Sequence, residues 1–289
     1  MDAWDAEIEV TPDLARTLLG PRFTDVRPLA TGWDNTVFLA DDTWIVRFPR
    51  REVAVPGVER EIAVLPGLAG RLPLPVPRPE LVGAPSARFP WPFWGGPLIE
   101  GVELACHDGP RERIAADVGA FLRVLHALDP GDLPADPLRR GDPVFRAEQA
   151  RARLAELAAK GHPTPDCAAL FEAGARVGTD ASRLVLTHGD LHVRHVLVAD
   201  DRAVGVIDWG DVCRADPAVD LSLVYGAFDA AARDAFFDAY GAISPATAIR
   251  ARVLAVFITA ALAAYADATA RPVLRDESLA GLFRAASAE

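Results

Sequence analysis

Residues 187–220 read THGDLHVRHVLVADDRAVGVIDWGDVCRADPAVD. The apolar runs in this stretch predict a strand that ends at Thr187, a polar loop, and two further strands joined by a turn, the last of which ends at Asp208. Three of the six histidines of the chain lie in the loop. The pattern therefore brings carboxylate and imidazole side chains together in one loop between buried strands.

Three residues of this stretch fit the requirements of phosphoryl transfer. One carboxylate must accept the proton of the attacking hydroxyl, while other ligands hold Mg²⁺ against the nucleotide phosphates. We expect Asp190 to be the base, and His195 and Asp208 to be the metal ligands. A His-Gly-Asp sequence alone is weak evidence, because Gly-Asp is ordinary turn chemistry and His188 could be a structural loop residue. The combined spacing is more specific.

The motif HGDLHxxxxL, followed by IDWGD and DPAVDL, resembles the aminoglycoside and macrolide phosphotransferase family, whose members are relatives of protein kinases. The resemblance covers nearly the whole chain. It implies an α+β, bilobal protein-kinase-like fold with a small β-rich N-terminal lobe and a larger, mainly helical C-terminal lobe. It also implies Asp190 as the catalytic base, Asp208 as the metal-binding residue of a DFG-like segment, and Asp220, with His188, as a structural brace of the catalytic loop.

One position departs from most of the family. His195 stands where most members, like protein kinases, have Asn. A neutral imidazole can bind a divalent cation, but Mg²⁺ prefers oxygen ligands, so His195 is expected to tune the choice or affinity of the metal. The alternative is that His195 only packs the loop. Macrolide kinases resemble this sequence in having His there, which favours the macrolide branch.

The N-terminal part predicts a nucleotide-binding hairpin. Residues 36–40 and 44–48 are β-rich runs separated by a short polar connection. The backbone amides near Asn35 and Thr36 are expected to face the nucleotide phosphates, although the several-glycine loop of protein kinases is absent. Arg47 occupies the place of the phosphate-contacting lysine, and its charged, bidentate group can serve the α and β phosphates.

A short helix is predicted over residues 58–68, with Pro56 at its start and Gly67 or Gly70 at its end. Glu61 on this helix is the natural ion-pair partner of Arg47, and Glu59 is the alternative. Either carboxylate could instead be a solvated charge on the helix surface.

The predicted nucleotide-binding lobe covers residues 1–98, and the catalytic and substrate-binding lobe covers residues 99–289. Between them, the hinge is placed near residues 98–101, where the backbone groups of Ile99 and Gly101 are expected to bind the nucleotide base. The sequence does not decide between ATP and GTP. Beyond the hinge, apolar residues recur at helical spacing.

The implied activity is phosphate transfer to an alcohol group of an antibiotic-like substrate, with a macrolide favoured over an aminoglycoside or another hydroxylated metabolite. A macrolide needs a roomy apolar pocket, for which Tyr225 and Phe228 are candidates, although aromatic residues at helical spacing are more often core. An aminated substrate would be attracted by carboxylates, of which Asp211 is one candidate and Glu103 or Asp108 another.

Composition narrows the possible partners and the location. The formal net charge is −11, and without clustered Lys and Arg this argues against nucleic acid as the main partner. The three cysteines form no CxxC pair, which indicates neither a disulfide framework nor a thiolate zinc site. The N-terminus lacks signal-peptide features, and the apolar run 253–266 is shorter than the roughly 20 residues that cross a bilayer. We therefore expect a cytoplasmic protein with no membrane partner, and no particular oligomeric state is indicated.

Two rival functions remain open from the sequence. The first is a metal-dependent hydrolase, whose candidate ligands are His188, Asp190, His192, His195 and Asp208. This hypothesis leaves Arg47 and Glu61 without a role. The second rival is a nucleotide-binding pseudokinase, against which the full set of motif carboxylates argues.

Overall fold

The computed structural model describes residues 6–32 and 34–288, so Trp33, next to the predicted phosphate-binding amides, lies outside the described residues. The chain divides into two compact units. The first contains the described part of Met1–Glu100 together with Ile207–Asp211, and the second contains Gly101–Val206 and the chain from Val212 onward. The sequence places the boundary two residues earlier and assigns 207–211 to the C-terminal lobe.

A five-stranded antiparallel sheet forms the centre of the first unit. The strands have the spatial order β1-β2-β3-β5-β4 and are β1 Val26–Thr31, β2 Asn35–Ala40, β3 Trp44–Pro49, β4 Leu81–Gly83 and β5 Phe93–Pro97. The predicted hairpin is confirmed, since β2 and β3 pair antiparallel. Asp41 and Asp42 turn the chain between them with φ of 46° and 57°, a region that Asp tolerates better than most residues.

Aromatic side chains pack on one face of this sheet. Phe38 and Phe48 are no more than 1% exposed, and their rings meet edge to face with 5.8 Å between centroids. Phe89 and Phe93 extend the same cluster. Because alternate residues of a strand face opposite sides, Arg47, which follows Val46 and precedes Phe48, lies on the other face.

Helix α2, Val55–Leu68, belongs to that other face and contacts β5. The predicted start is confirmed, because Pro56 lies in the first helical turn, where its missing N–H costs no hydrogen bond. Gly67 lies inside the helix, and Gly70 follows the C-cap with a φ of 77°. The unit also has a helix that the sequence analysis does not predict, α1 Pro12–Leu19, capped by the Thr11 hydroxyl.

The second unit is mainly helical, as predicted. Its helices are α3 Glu112–Leu125, α4 Pro143–Ala159, α5 Ala168–Val177, α6 Ala218–Ala227, α7 Ala230–Tyr240, α8 Pro245–Ala268 and α9 Pro272–Ser287. Helix α8 contacts α4, α5, α6 and α9, whereas α3 packs along α7. The core of this unit is therefore built around α8.

Helix α8 is long and apolar enough to cross a membrane, by length and composition alone. It spans 24 residues, so the predicted apolar run 253–266 is only its central part. Val253, Val256 and Ala260 are 0% exposed, since the neighbouring helices cover them. This packing accounts for its apolar character as a core helix.

The strand, loop, strand, turn, strand pattern predicted from residues 184–208 is present in the second unit. The strands of the predicted pattern are β7 Val185–Thr187, β8 Val196–Ala199 and β9 Arg202–Val206. Two more strands of this unit, β6 Val102–Glu103 and β10 Cys213–Ala215, lie outside the pattern. Together these strands form a three-stranded sheet, β6-β8-β9, and a pair, β7-β10. Asp200 and Asp201 make the turn between β8 and β9, both with positive φ, as two-residue hairpin turns require. The third strand ends at Val206, two residues before the predicted end.

Phe48 is the residue whose loss should most directly test the core of the first unit. Phe48→Ala should lower the free energy of unfolding by about 3–5 kcal/mol, because it leaves a cavity among packed rings. Urea denaturation followed by tryptophan fluorescence measures this change. Leu29→Ala, on β1 with Leu29 48% exposed, is the control. Equal losses in the two variants would contradict the assignment of this core.

Candidate active site

Arg47 on β3 forms two ion pairs within the first unit. Its Nη2 donates to Asp208 Oδ1 at 2.8 Å, and its Nε lies 3.5 Å from Glu61 Oε2. The side chains of Arg47 and Glu61 are 8% and 0% exposed, whereas that of Asp208 is 43% exposed. Glu61, rather than the alternative Glu59, is therefore the partner of Arg47, and it is not a solvated surface charge.

The Glu61 carboxylate is held by two further donors. Trp94 Nε1–H donates to Oε2 at 2.9 Å, and the backbone N–H of Trp209 donates to Oε1 at 3.0 Å. A buried charge needs such bonds, because removal from water penalises the ionised form. Burial raises the pKa of Glu61 and Asp208 adds to this effect, while Arg47 opposes it. Trp94 is 0% exposed, so it is a core residue that also orients Glu61.

The charges of this cluster settle the protonation of Arg47. Burial alone would lower the pKa of Arg47, but the attraction of Asp208 and then Glu61 outweighs it and raises that pKa above its ordinary value. The guanidinium is therefore permanently charged. With both carboxylates ionised, the cluster has one net negative charge, which suits a further cation next to Asp208.

Helix α2 also holds the segment that carries Asp208. The Nε and Nη2 atoms of Arg60 donate to the Gly210 carbonyl at 2.9 and 2.6 Å. A Cβ on Gly57 would lie 3.3 Å from the same carbonyl oxygen, so the glycine allows the close approach of the two backbones.

Asp208 itself has a φ of 67°, in the left-handed region. Asp211, a predicted substrate residue, is half-buried on this segment.

The predicted phosphate-binding residues, Asn35 and Thr36, begin β2 directly after the turn that follows β1. Gly32 N–H donates to the Asn35 carbonyl at 2.9 Å, and Arg50 Nη1 donates to the Gly32 carbonyl at 2.8 Å. Thr36 is buried. Asn35 Oδ1 is also buried and has no hydrogen-bond partner among the residues that the structure describes. An orphan acceptor does not suit a phosphate, so the backbone amides remain the candidates here.

Asp190 lies in the loop after β7, surrounded by positive or titratable groups of the second unit. His192 Nε2 is 3.7 Å from Asp190 Oδ2. Burial acts to raise the pKa of Asp190, but His192, His195, Arg140 and His188 together outweigh it and lower that pKa below its ordinary value. The carboxylate is therefore ionised at neutral pH, which is the form that a general base requires.

The hydrogen bond of His195 identifies its tautomer. Its Nδ1 lies 2.8 Å from the backbone carbonyl oxygen of Asp190. Because a carbonyl only accepts, Nδ1 carries a proton, and in the neutral form of the ring the lone pair is on Nε2. Metal-binding histidines are commonly oriented in this way. The predicted ligand is therefore arranged to offer Nε2 to a divalent cation.

Asp220 on α6 contacts the backbone of this loop, as the family resemblance implies. Its Oδ2 accepts the His188 N–H at 2.8 Å, and its Oδ1 accepts the Gly189 N–H at 3.0 Å. The ring Nδ1 of His188 accepts the Asp190 N–H at 3.2 Å. Gly189 has a φ of 90°, which L side chains rarely adopt. Asp220 thus holds the peptide groups that precede the predicted base.

The sequence analysis missed a buried histidine behind Asp220. His126 Nε2 donates to Asp220 Oδ2 at 3.2 Å, and His126 Nδ1 lies 2.8 Å from the Tyr240 hydroxyl. Burial raises the pKa of Tyr240 to about 12, so its hydroxyl remains protonated and donates. A signal for His126 exists in the sequence, because it lies four residues after buried Leu122 and continues the buried side of α3.

The remaining predicted residues fall in different places. Ile99 is the next-to-last residue before the boundary after Glu100, and Gly101 begins the second unit. Gly101 has a φ of 150°, and a Cβ there would lie 2.8 Å from Val204. Tyr225 and Phe228 are 5% and 0% exposed. These two aromatic residues are buried in the core of the second unit, which is the alternative that the sequence analysis left open.

The second unit has a cavity of about 590 Å³ elsewhere, lined by residues 105–112, by Ala227 and Asp229 next to the start of α7, and by side chains of α9. Its carboxylates include Asp108, one of those suggested for an aminated substrate, and its cations include Arg111 and Arg284. The other suggested carboxylate, Glu103, lies on β6 and is 3.5 Å from Arg194 Nε. Of the two suggested carboxylates, Asp108 lines this cavity.

Comparison with known proteins supports the predicted family. Residues 25–253 match the family described as APH, phosphotransferase enzyme family. The uncharacterized protein YcbJ of Bacillus subtilis (strain 168) is 28% identical over 237 residues, which are 73% of this chain and 74% of that protein.

Two solved structures illustrate the likeness of fold. The apoenzyme of macrolide 2'-phosphotransferase MphH from Brachybacterium faecium is 26% identical, with 94% of this chain and 97% of that chain covered and a TM-score of 0.61. The GDP complex of wild-type aminoglycoside 2'-phosphotransferase-IIIa is 19% identical, with coverage of 95% and 96% and a TM-score of 0.68. The predicted α+β, kinase-like fold is thereby confirmed.

The hydrolase and pseudokinase alternatives lose their support at this point. The family match includes Arg47 and Glu61, which a hydrolase leaves unexplained, together with the HGD loop and Asp220. The phosphotransferase prediction is confirmed: the chain belongs to the APH family of phosphotransferase enzymes and is a small-molecule kinase whose solved neighbours include macrolide and aminoglycoside phosphotransferases.

Proposed function

We propose that this enzyme transfers the γ-phosphate of ATP or GTP to a hydroxyl of an antibiotic-like substrate, with a macrolide as the favoured acceptor. The observation that carries the proposal is the position of Asp190. Its carboxylate, whose pKa is lowered below its ordinary value, follows two peptide groups that Asp220 holds through two hydrogen bonds. Such a group can orient a hydroxyl and accept its proton as the phosphate is transferred.

The first unit supplies groups for the nucleotide. Arg47 is permanently charged and oriented by Glu61, so we assign it to the α and β phosphates. The donor nucleotide is a guanosine or adenosine triphosphate. GDP is bound in the aminoglycoside 2'-phosphotransferase-IIIa structure, which keeps GTP among the candidates for this chain.

We assign two residues to a divalent cation, each from the chemistry of its own donor atom. Asp208 offers a carboxylate oxygen of a side chain that is 43% exposed, and His195 offers Nε2 in its neutral form, because its Nδ1 donates to a carbonyl. Mg²⁺, when bound, would neutralise charge on the transferred phosphate. Oxygen ligands suit Mg²⁺ better than nitrogen does, so His195 would weaken the preference for Mg²⁺ over Mn²⁺.

The macrolide preference and the aminoglycoside alternative rest on different observations. His195 and the 26% identity to a macrolide 2'-phosphotransferase favour a macrolide. The carboxylates Asp108, Glu112, Asp229 and Asp276 around the cavity of the second unit favour a cationic substrate such as an aminoglycoside. The proposed role is antibiotic resistance. The proposed location is the cytoplasm, where the free cysteines would remain reduced.

A screen of γ-phosphate transfer tests the function. ATP and GTP are each paired with macrolides, aminoglycosides and other hydroxylated metabolites, and the product is identified by mass. We expect transfer to a macrolide, and a drop of about 10²–10⁴-fold in Asp190→Asn with nucleotide affinity nearly unchanged, because a general base contributes about that factor. Undiminished turnover in Asp190→Asn would remove Asp190 from the role of base.

His195→Asn tests the metal assignment. The substitution replaces a ring nitrogen by an amide oxygen, so we expect the ratio of Mg²⁺- to Mn²⁺-supported kcat to rise severalfold. Initial rates over a titration of each metal give this ratio. His162→Gln, whose ring is 3.2 Å from Asp267 away from the loop, is the control. An unchanged ratio in His195→Asn would reduce His195 to a packing role.

His126 is predicted to position the catalytic loop through Asp220. His126→Leu removes a buried donor to the carboxylate and should lower kcat about tenfold, while the KM for nucleotide changes little. His126→Gln keeps an N–H at similar reach and should restore part of kcat. If both variants lose kcat in proportion to their loss of thermal stability, His126 has only a structural role.

A further inference from the structure

One residue of the catalytic loop has no place in the phosphoryl-transfer scheme. His192 lies between Asp190 and His195 in sequence, and its ring stacks on that of His195 with 3.8 Å between centroids. One ligand atom from each of Asp190, His192 and His195 lies within 4.8 Å of the other two. The side chains of Asp190 and His192 are 35% and 10% exposed, so an ion can reach the group from solvent.

The chemistry of these donors differs from that of a magnesium site. Two imidazole nitrogens and one carboxylate oxygen form the set that Zn²⁺ takes at three-ligand protein sites, with a fourth position left for water. Mg²⁺ instead prefers oxygen ligands in octahedral geometry. In a tetrahedral zinc site with bonds of about 2.1 Å, two ligand atoms lie roughly 3.4 Å apart. Asp190 Oδ2 and His192 Nε2 are 3.7 Å apart, which is close to that separation.

The hydrogen bonds of the two rings bear on this arrangement. His195 already donates its Nδ1 proton to the Asp190 carbonyl, so Nε2 is the ligand atom. His192 Nδ1 accepts the Arg194 N–H at 3.3 Å, which is a long bond. A metal on His192 Nε2 would move the ring proton to Nδ1 and break the contact with the Arg194 N–H. The positive charge of Arg140, which acts on Asp190, also opposes a cation and limits the affinity.

We propose that Asp190, His192 and His195 form an inhibitory binding site for a borderline-soft divalent cation, with Zn²⁺ as the ion that suits the donors best. The inhibition rests on the proposed function. A carboxylate oxygen of Asp190 bound to Zn²⁺ no longer accepts the proton of the acceptor hydroxyl, and His195 is withdrawn from the cation that supports transfer. The enzyme would therefore lose activity as Zn²⁺ rises at constant Mg²⁺.

Direct metal binding is the first test and needs no turnover. The full chain is titrated with Zn²⁺ by calorimetry, and with Co²⁺ by visible absorption, since tetrahedral Co²⁺ has a distinct spectrum. We expect one ion per chain and at least a tenfold weaker affinity in His192→Gln and in His195→Asn. Circular dichroism and nucleotide binding verify that both variants are folded.

Zinc binding at Cys106 and His107 must be distinguished from zinc binding at the proposed site. Cys106 is exposed and precedes His107, and a thiolate next to an imidazole also attracts zinc. A Cys106→Ser/His107→Gln double variant is the matched control, and we expect it to bind Zn²⁺ like the unaltered chain. Binding that is lost in this control, or that persists undiminished in His192→Gln, would overturn the proposed site.

Inhibition is the second test, once a substrate is known. The Zn²⁺ concentration that halves phosphate transfer at constant Mg²⁺ should rise at least tenfold in His192→Gln, relative to that variant's own rate without zinc. Transfer that continues at saturating Zn²⁺ occupancy would overturn the inhibitory role. Zinc binding that depends on His192 and His195 in a chain without any transfer activity would overturn the proposed function and support the site.

Discussion

The carboxylate of Asp220, which is 0% exposed, is the constraint on which the catalytic loop depends. Its two oxygens accept the N–H groups of His188 and Gly189, and His126 donates to it from α3. Loss of these donors would be costly, because removal from water penalises the ionised form of a buried carboxylate. The loop is therefore held in the one backbone path that satisfies Asp220, and Asp190 follows directly from it.

Glu61 in the first unit is stabilised in a similar way. It too is a buried carboxylate that accepts one backbone N–H, from Trp209, and one ring N–H, from Trp94. The difference is Arg47, which gives Glu61 an ion pair. Each unit thus uses a buried acid to fix a short polar segment, 188–190 in one case and 207–211 in the other. In the second unit, Asp190 directly follows Gly189, whose N–H Asp220 accepts. In the first unit, Asp208 directly precedes Trp209, whose N–H Glu61 accepts.

The parts that the sequence could predict are those with local signals. The β2–β3 hairpin, the start of α2 at Pro56 and the alternation of strands and turns around Asp190 follow from periodicity and turn residues. The contacts of His126 and Trp94 could not be found this way, because their partners Asp220 and Glu61 are 94 and 33 positions away. The sequence could not decide whether Tyr225 and Phe228 line a pocket or belong to the core, because their burial depends on how the helices pack.

The ion pair between Arg47 and Asp208 has a consequence for catalytic turnover. If Asp208 binds the metal ion of the nucleotide, as we propose, that ion would have to enter before each transfer and leave with the product. A carboxylate with no cation beside it would attract such an ion strongly and release it slowly. Because Arg47 Nη2 already donates to Asp208 Oδ1, part of that attraction would be cancelled, and the ion would exchange faster and stay bound for a shorter time.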